Sequence, residues 1–159
     1  MTHTDMRLRS LLQAIVGAPA DDDVRLVYAD AIDDAGQEER AEFIRLQVEL
    51  AGHGPLPGNP QNVWREIIKM RHRERALIRD YGADWLPSSV IGDMASRFVC
   101  TWRRGFVAEV KCTAADWLAH ADAIRACQPI EKVTLTTTPA LVGHFEEDRL
   151  ASCILKGRK

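Results

Sequence analysis

Apolar residues recur at helical spacing through the first 86 positions, and the pattern changes to strand-like alternation after residue 97. In residues 4–17, Leu8, Leu11, Leu12, Ile15 and Val16 form one stripe, and Gly17-Ala-Pro19-Ala breaks it. The stretch from Asp22 to Gln47 is the one in which every local signal agrees. Val24, Val27, Tyr28, Ala31 and Ile32 predict one buried helical face, and Asp21 or Asp22 stands where an N-cap accepts from free first-turn amides. Asp33, Asp34 and Gly36 end that helix, Gly36 being suited to a left-handed position past its C-terminus. A second helix follows over 37–50, with Ala41, Ile44, Val48 and Ala51 on one face and Phe43, Gln47 and Leu50 beside it. So short a connection predicts an antiparallel helical hairpin.

Gly52 to Asn62 holds three Pro and three Gly and predicts an irregular loop. Asn62 is placed to cap a helix over 63–81, which Gly82 stops; its apolar positions are Trp64, Ile67, Ile68, Met70, Leu77, Ile78 and Tyr81. Trp85 is expected to anchor the exit of that helix against the core, and residues 88–96 read as loop. Residues 98–102 and 106–112 alternate as two strands around Arg103-Arg104-Gly105, which suits a hairpin turn. Thr113, with Asp116 three positions on, predicts a capped helix over 114–127 whose apolar face is Trp117, Leu118, Ala121, Ile124 and the stem of Arg125. Pro129 ends it, and the β-branched run 130–138 predicts a third strand. Strand, helix and strand at a period near 25 residues imply parallel pairing by a crossover, as in one turn of a leucine-rich-repeat solenoid. A further unit could begin after Pro139. The expected class is therefore α+β. A bundle of about four helices in residues 1–86 precedes a small repeat-like β/α lobe in residues 97–159, packed on it around one core.

Composition narrows function by exclusion. A formal charge of −2 argues against a surface built wholly for nucleic acid or anionic membrane. No apolar run reaches the length of a membrane span, and the first residues lack the apolar core and cleavage site of a signal peptide, so a cytoplasmic location is expected. Cys100, Cys112, Cys127 and Cys153 form no close pair and sit in or beside apolar segments, which favours reduced thiols over a zinc site or disulfides. Asp21, Asp22 and Asp23, and likewise Asp30, Asp33 and Asp34, read as anions at helix ends rather than metal ligands, and the calcium-loop pattern is absent. His3, His53, His72, His120 and His144 are scattered, with no nucleophile elbow, phosphate loop or zinc-protease motif. No catalytic, cofactor or metal residue is assigned.

The run Leu26-Val-Tyr-Ala-Asp30, followed by Arg40-Ala-Glu-Phe-Ile-Arg-Leu-Gln47, resembles the bacterial repeat-companion domain, a small helical N-terminal module that often precedes leucine-rich repeats. LIRDYGADWL at 77–86 and RGFVAEVKCTAADWLAHADAIR at 104–125 are similar to the segments that follow it, so the resemblance spans most of residues 5–138. Ala31-Ile32 replaces the usual Trp-Leu, which implies one remodelled core contact. The resemblance implies architecture and an interaction role, without an established activity. Tyr28, Asp30, Arg40, Glu42, Phe43 and Arg45 are then motif residues with structural roles. Carboxylate–guanidinium bonds among Asp30, Arg40, Glu42 and Arg45 are expected to fix the register of the hairpin.

The leading expectation is a non-enzymatic protein–protein interaction or assembly module that binds a protein partner or itself. A single repeat-like turn would leave a sheet edge open to that partner. The alternative is nucleic-acid binding through the basic helix, by Arg65, Lys69, Arg71, Arg73, Arg75 and Arg79, with Arg97, Arg103 and Arg104 nearby. The competing account of those cations is pairing with the acidic helix 37–50 and with Glu74.

Overall fold

The computed structural model describes residues 3–53, 61–87 and 97–137. These contain helices α1 (His3–Gly17), α2 (Asp22–Asp33), α3 (Glu38–Gly52) and α4 (Gln61–Tyr81), then a 3₁₀ turn at Gly82–Trp85. Strands β1 (Val99–Arg103) and β2 (Phe106–Thr113), helix α5 (Ala114–Arg125) and strand β3 (Lys132–Thr136) complete them. The fold is α+β: a helical N-terminal part followed by a three-stranded sheet. Of the loop expected over 52–62, Gly52 ends α3 and Gln61 and Asn62 belong to α4, while residues 54–60 lie outside the described residues, as do the stretch 88–96, a further unit after Pro139, and Cys153. Among the described residues, no helix is long and apolar enough to cross a membrane.

Local chemistry accounts for the element ends. Asp21 Oδ1 accepts from the amides of Asp23 at 3.0 Å and Val24 at 3.3 Å, so Asp21 is the N-cap of α2. Gly36 takes φ +81° just beyond that helix. Thr113 Oγ1 accepts from the Asp116 amide at 3.1 Å and donates to Asp116 Oδ2 at 2.6 Å, capping α5. That hydroxyl first, and Arg97 next, hold the Asp116 carboxyl below the usual carboxylate range. The helix predicted to start after Asn62 starts at Gln61, which puts Asn62 inside its first turn.

Burial departs from the sequence reading on three helices. On α2 the inward line is Arg25, Ala29 and Ile32, while Leu26 and Val27 are exposed. Arg25 packs against Phe106 and bonds two carbonyls, which turns its line toward the core and carries Val27 outward. On α4, Ile67, Glu74 and Leu77 are buried, whereas Trp64 and Ile68 face solvent. On α5, Leu118 is 83% exposed, and the helix packs through Trp117, Ala123 and Ile124 instead.

The sheet order is β1-β2-β3, with β2 central. β1 and β2 are antiparallel and joined by a two-residue turn at Arg104-Gly105, so Arg103 belongs to the strand rather than the turn. Arg104 at φ 50° and Gly105 at φ 85° have the positive signs that a type I′ hairpin requires. A register shift between Thr101 and Trp102 leaves Ala108 unpaired across the hairpin, and its carbonyl accepts from the Glu131 amide at 2.7 Å instead. β2 and β3 are parallel, and the pairs from Glu109↔Lys132 to Thr113↔Thr136 hold a constant offset of 23 residues. That offset lies within the roughly 20–29-residue period of leucine-rich repeats.

Two apolar clusters result. Ile15, Ala29, Ile32, Ala41 and Ile44 pack with Phe106, which β2 lends to the helices. Phe98, Val107, Val110, Cys112 and Ile124 pack between sheet and α5, joined by Leu86 and Trp102.

Candidate functional site

The helical part meets the sheet where α3 lies against the β1–β2 turn. Motif residues and long-range polar contacts concentrate at this junction. α3 is a regular helix, so Arg40, Phe43, Ile44 and Gln47 fall on one face at three- and four-residue spacing. Gly105 brings the turn backbone onto that face: a Cβ there would stand 2.5 Å from Ile44 Cγ1 and 2.8 Å from Ile44 Cα.

Gln47 is the polar hub. Its Oε1 accepts from the Gly105 amide at 2.7 Å, and its Nε2 donates to Glu74 Oε1 at 2.7 Å and toward the Trp102 carbonyl at 3.5 Å. Glu74 Oε2 in turn accepts from Arg71 Nη1 at 3.0 Å. Turn, β1, α3 and α4 therefore share one buried side chain. Gln47→Leu would keep the volume but orphan the Gly105 amide and one Glu74 oxygen, at an expected cost of about 2–4 kcal/mol. Urea denaturation measures it; a loss under about 1 kcal/mol would remove Gln47 from this role.

Arg40 was expected to pair with a carboxylate in the hairpin; among the described residues it pairs with none and stands instead among aromatic rings. Its guanidinium carbon lies 4.7 Å from the ring centroid of Trp85, 4.8 Å from Phe106, 5.5 Å from Trp102 and 5.8 Å from Phe43. Arg40 is 6% exposed, and its Nη1 has no hydrogen-bond partner among the described residues. Burial lowers its pKa to about 10, so it remains a cation at neutral pH. The box is itself packed: Phe43 stacks on Trp85 at 4.7 Å and meets Trp102 edge-on at 5.5 Å. Ring faces carry partial negative charge, and four of them substitute for a counter-ion.

The remaining motif residues divide. Arg45 bonds Asp30 at 2.7 Å, as the hairpin reading expects, and also Asp33 at 2.8 Å, and together they tie α3 to α2. Glu42 instead forms a bidentate pair with Arg73 of α4, at 2.6 Å and 2.5 Å, and this bond lowers the Glu42 pKa. Tyr28 places its ring 5.8 Å from Phe106, and burial raises its hydroxyl pKa.

The basic helix carries its cations mostly in pairs. Lys69 bonds Glu66, Arg71 bonds Glu74, Arg73 bonds Glu42 and Arg79 bonds Asp80, leaving Arg65 and Arg75 without an ion pair among the described residues. Arg97 pairs with Asp116, Arg103 with Glu109 and Arg104 with Asp22.

Among the described residues, no three His, Cys, Asp or Glu side chains converge to hold a metal. Burial pushes the Cys100 thiol up to about 11 and raises Cys112 and Cys127 as well, the reverse of what a nucleophilic thiolate needs. His120 sits edge-on to Phe98, 5.9 Å away. Arg25, Gln128 and Gly105 were not singled out from sequence as site residues. The signal for Arg25 was a cation in line with Ala29 and Ile32, at helical spacing. Gln128 is buried, accepting from the Val107 amide at 2.9 Å and donating to the Trp85 carbonyl at 3.2 Å, and nothing in its neighbours foretold that.

Comparison with protein-family models, with curated proteins and with solved structures gave no match.

Proposed function

We propose that the protein is a non-catalytic assembly module: a helical cap joined to one repeat-like turn, whose β3 edge receives a strand from a second copy of the chain. The observation that carries this reading is the parallel β2–β3 pair with its 23-residue offset, which brings the apolar Leu135 opposite Cys112. Val133 and Leu135 lie opposite Val110 and Cys112, so they continue the core face of the sheet. Cys112 is fully buried, yet Leu135, its neighbour across the ladder, is 56% exposed. The apolar face thus reaches solvent at Leu135 of β3. An exposed apolar position on a strand favours strand addition by a partner. The repeat-companion-like blocks at 26–47 and 77–86 support the same reading, as do the raised thiol pKa values. Nucleic-acid binding by the basic helix is disfavoured because Lys69, Arg71, Arg73 and Arg79 already hold carboxylates.

Light scattering on the purified chain at low and moderate salt tests the reading. A defined oligomer at both salts is expected, and Leu135→Asp should return it to a monomer. A monomer at both salts refutes self-assembly. A monomer carrying nucleic acid that salt removes would transfer the function to α4.

A further inference from the structure

Beside the junction, an open cleft of about 350 Å³ lies between α3, α4 and the β1–β2 turn. Arg25, Arg71, Arg103 and Arg104 line it together with Trp102. The carboxylates in its wall are Glu74 and Glu131, two against four guanidinium groups.

How those cations spend their donors is the informative point. Arg73 and Arg79, outside the cleft, each bind one carboxylate through both of its oxygens. None of the four cleft arginines does so. Arg71 makes one bond to Glu74, whose other oxygen is held by Gln47. Arg103 makes one bond to Glu109, which Lys132 also approaches at 3.6 Å, and stands 3.8 Å from Glu131. Arg104 approaches Asp22 at 3.3 Å through Nε and reaches the Ala20 carbonyl at 3.4 Å. Arg25 is 1% exposed, and both of its terminal nitrogens bond neutral carbonyls, those of Arg104 at 2.8 Å and Pro19 at 2.6 Å. Its Nε has no partner among the described residues. Arg25 makes no direct ion pair among the described residues; burial lowers its pKa, while Asp22, Glu131 and Asp21 act on it at a distance, so its charge is only partly offset at the cleft wall. A guanidinium has five N–H donors, so Arg71 and Arg103 at the rim retain several for a ligand.

We propose that this cleft binds a small phosphate-bearing anion, held at the rim by Arg71 and Arg103 and drawn in by the buried charge of Arg25. Planar guanidinium forks match tetrahedral oxyanions through paired N–H···O bonds. The volume exceeds what one phosphate fills and lies at the small end of the roughly 300–1,000 Å³ typical of ligand sites. Trp102 supplies one apolar wall for the rest of the molecule.

The test is a titration of the full chain with inorganic pyrophosphate, and separately with citrate, at constant ionic strength set with sodium chloride. Tryptophan fluorescence and the Trp102 indole resonance are the readouts. Pyrophosphate is expected to saturate. Arg71→Gln and Arg103→Gln should each weaken it roughly tenfold or more. Arg73→Gln, two positions from Arg71 along the same helix but bidentate-paired with Glu42 outside the cleft, should leave it unchanged and so serves as the charge control. The three variants replace half-exposed side chains, and their thermal melts verify that they fold. Absence of saturation, saturation by citrate alone, or equal weakening by Arg73→Gln would each overturn the proposal.

Discussion

Gly105→Ala is expected to destabilise the protein by about 2–5 kcal/mol, combining left-handed backbone strain with overpacking. Both terms follow from geometry. At φ 85° an L-residue is strained whatever the space, and the added methyl would meet Ile44 at 2.5–2.9 Å. The clash includes the Ile44 Cα, which no rotamer change can move. Relief requires the turn to withdraw from α3, and that would stretch the 2.7 Å bond from the Gly105 amide to Gln47. Against a typical total of about 5–15 kcal/mol, the loss would be a large share of stability. Urea denaturation followed by tryptophan fluorescence checks it. A variant within about 1 kcal/mol of the parent would mean that the turn does not rest on α3.

The second large effect concerns Arg40, where two substitutions should separate volume from charge. Arg40→Ala empties a box walled by four rings and is expected to cost about 3 kcal/mol. Arg40→Met fills much of the same space without the cation and is expected to stay within about 1 kcal/mol of the parent. The reason is an offset. Burying an unpaired charge costs several kcal/mol, and cation–π contacts return about 0.5–2 kcal/mol per ring. Removing both together changes little. If Met proves as damaging as Ala, the rings are stabilising the charge by more than burial costs, and the box is electrostatic rather than steric in purpose. Thermal and urea unfolding of both variants decide between these outcomes.

Much of this was legible in the sequence, and the parts that were not share a cause. Helix and strand positions followed from periodicity and caps: Asp21 and Thr113 cap where their chemistry suggests, and Gly36 takes the left-handed conformation. The Arg45 pair with Asp30 was accessible because a short hairpin makes near neighbours of residues 15 apart, whereas Asp33 had been read only as an anion at a helix end. The fate of Arg40 was not, because its partners Trp85, Trp102 and Phe106 come from three separate later elements. Local pattern reads which face of an element is apolar; it does not read which distant ring closes over a cation on that face. The same limit explains Val27, Trp64, Ile68 and Leu118. Each continues an apolar period, and each faces outward because neighbouring elements cover another side. Arg71, Arg103 and Arg104 were visible in the sequence as candidate nucleic-acid contacts, and Arg25 was not singled out. What distinguishes them is the geometry of their bonds, monodentate or to carbonyls, and sequence carries no trace of that.

The placement of Phe106 and Trp102 has a consequence for the nascent chain. A ribosome delivers Arg40 and Phe43 more than fifty residues before these two rings. At roughly 5–20 residues per second, several seconds or more separate the two events. Over that interval α2 and α3 can pair through Arg45, but Arg40 must remain hydrated, since two of its four aromatic walls, Trp102 and Phe106, have not yet been synthesised. The helical hairpin is therefore born open on the side that the sheet later covers, and the arrival of the β-turn is the step that dehydrates it.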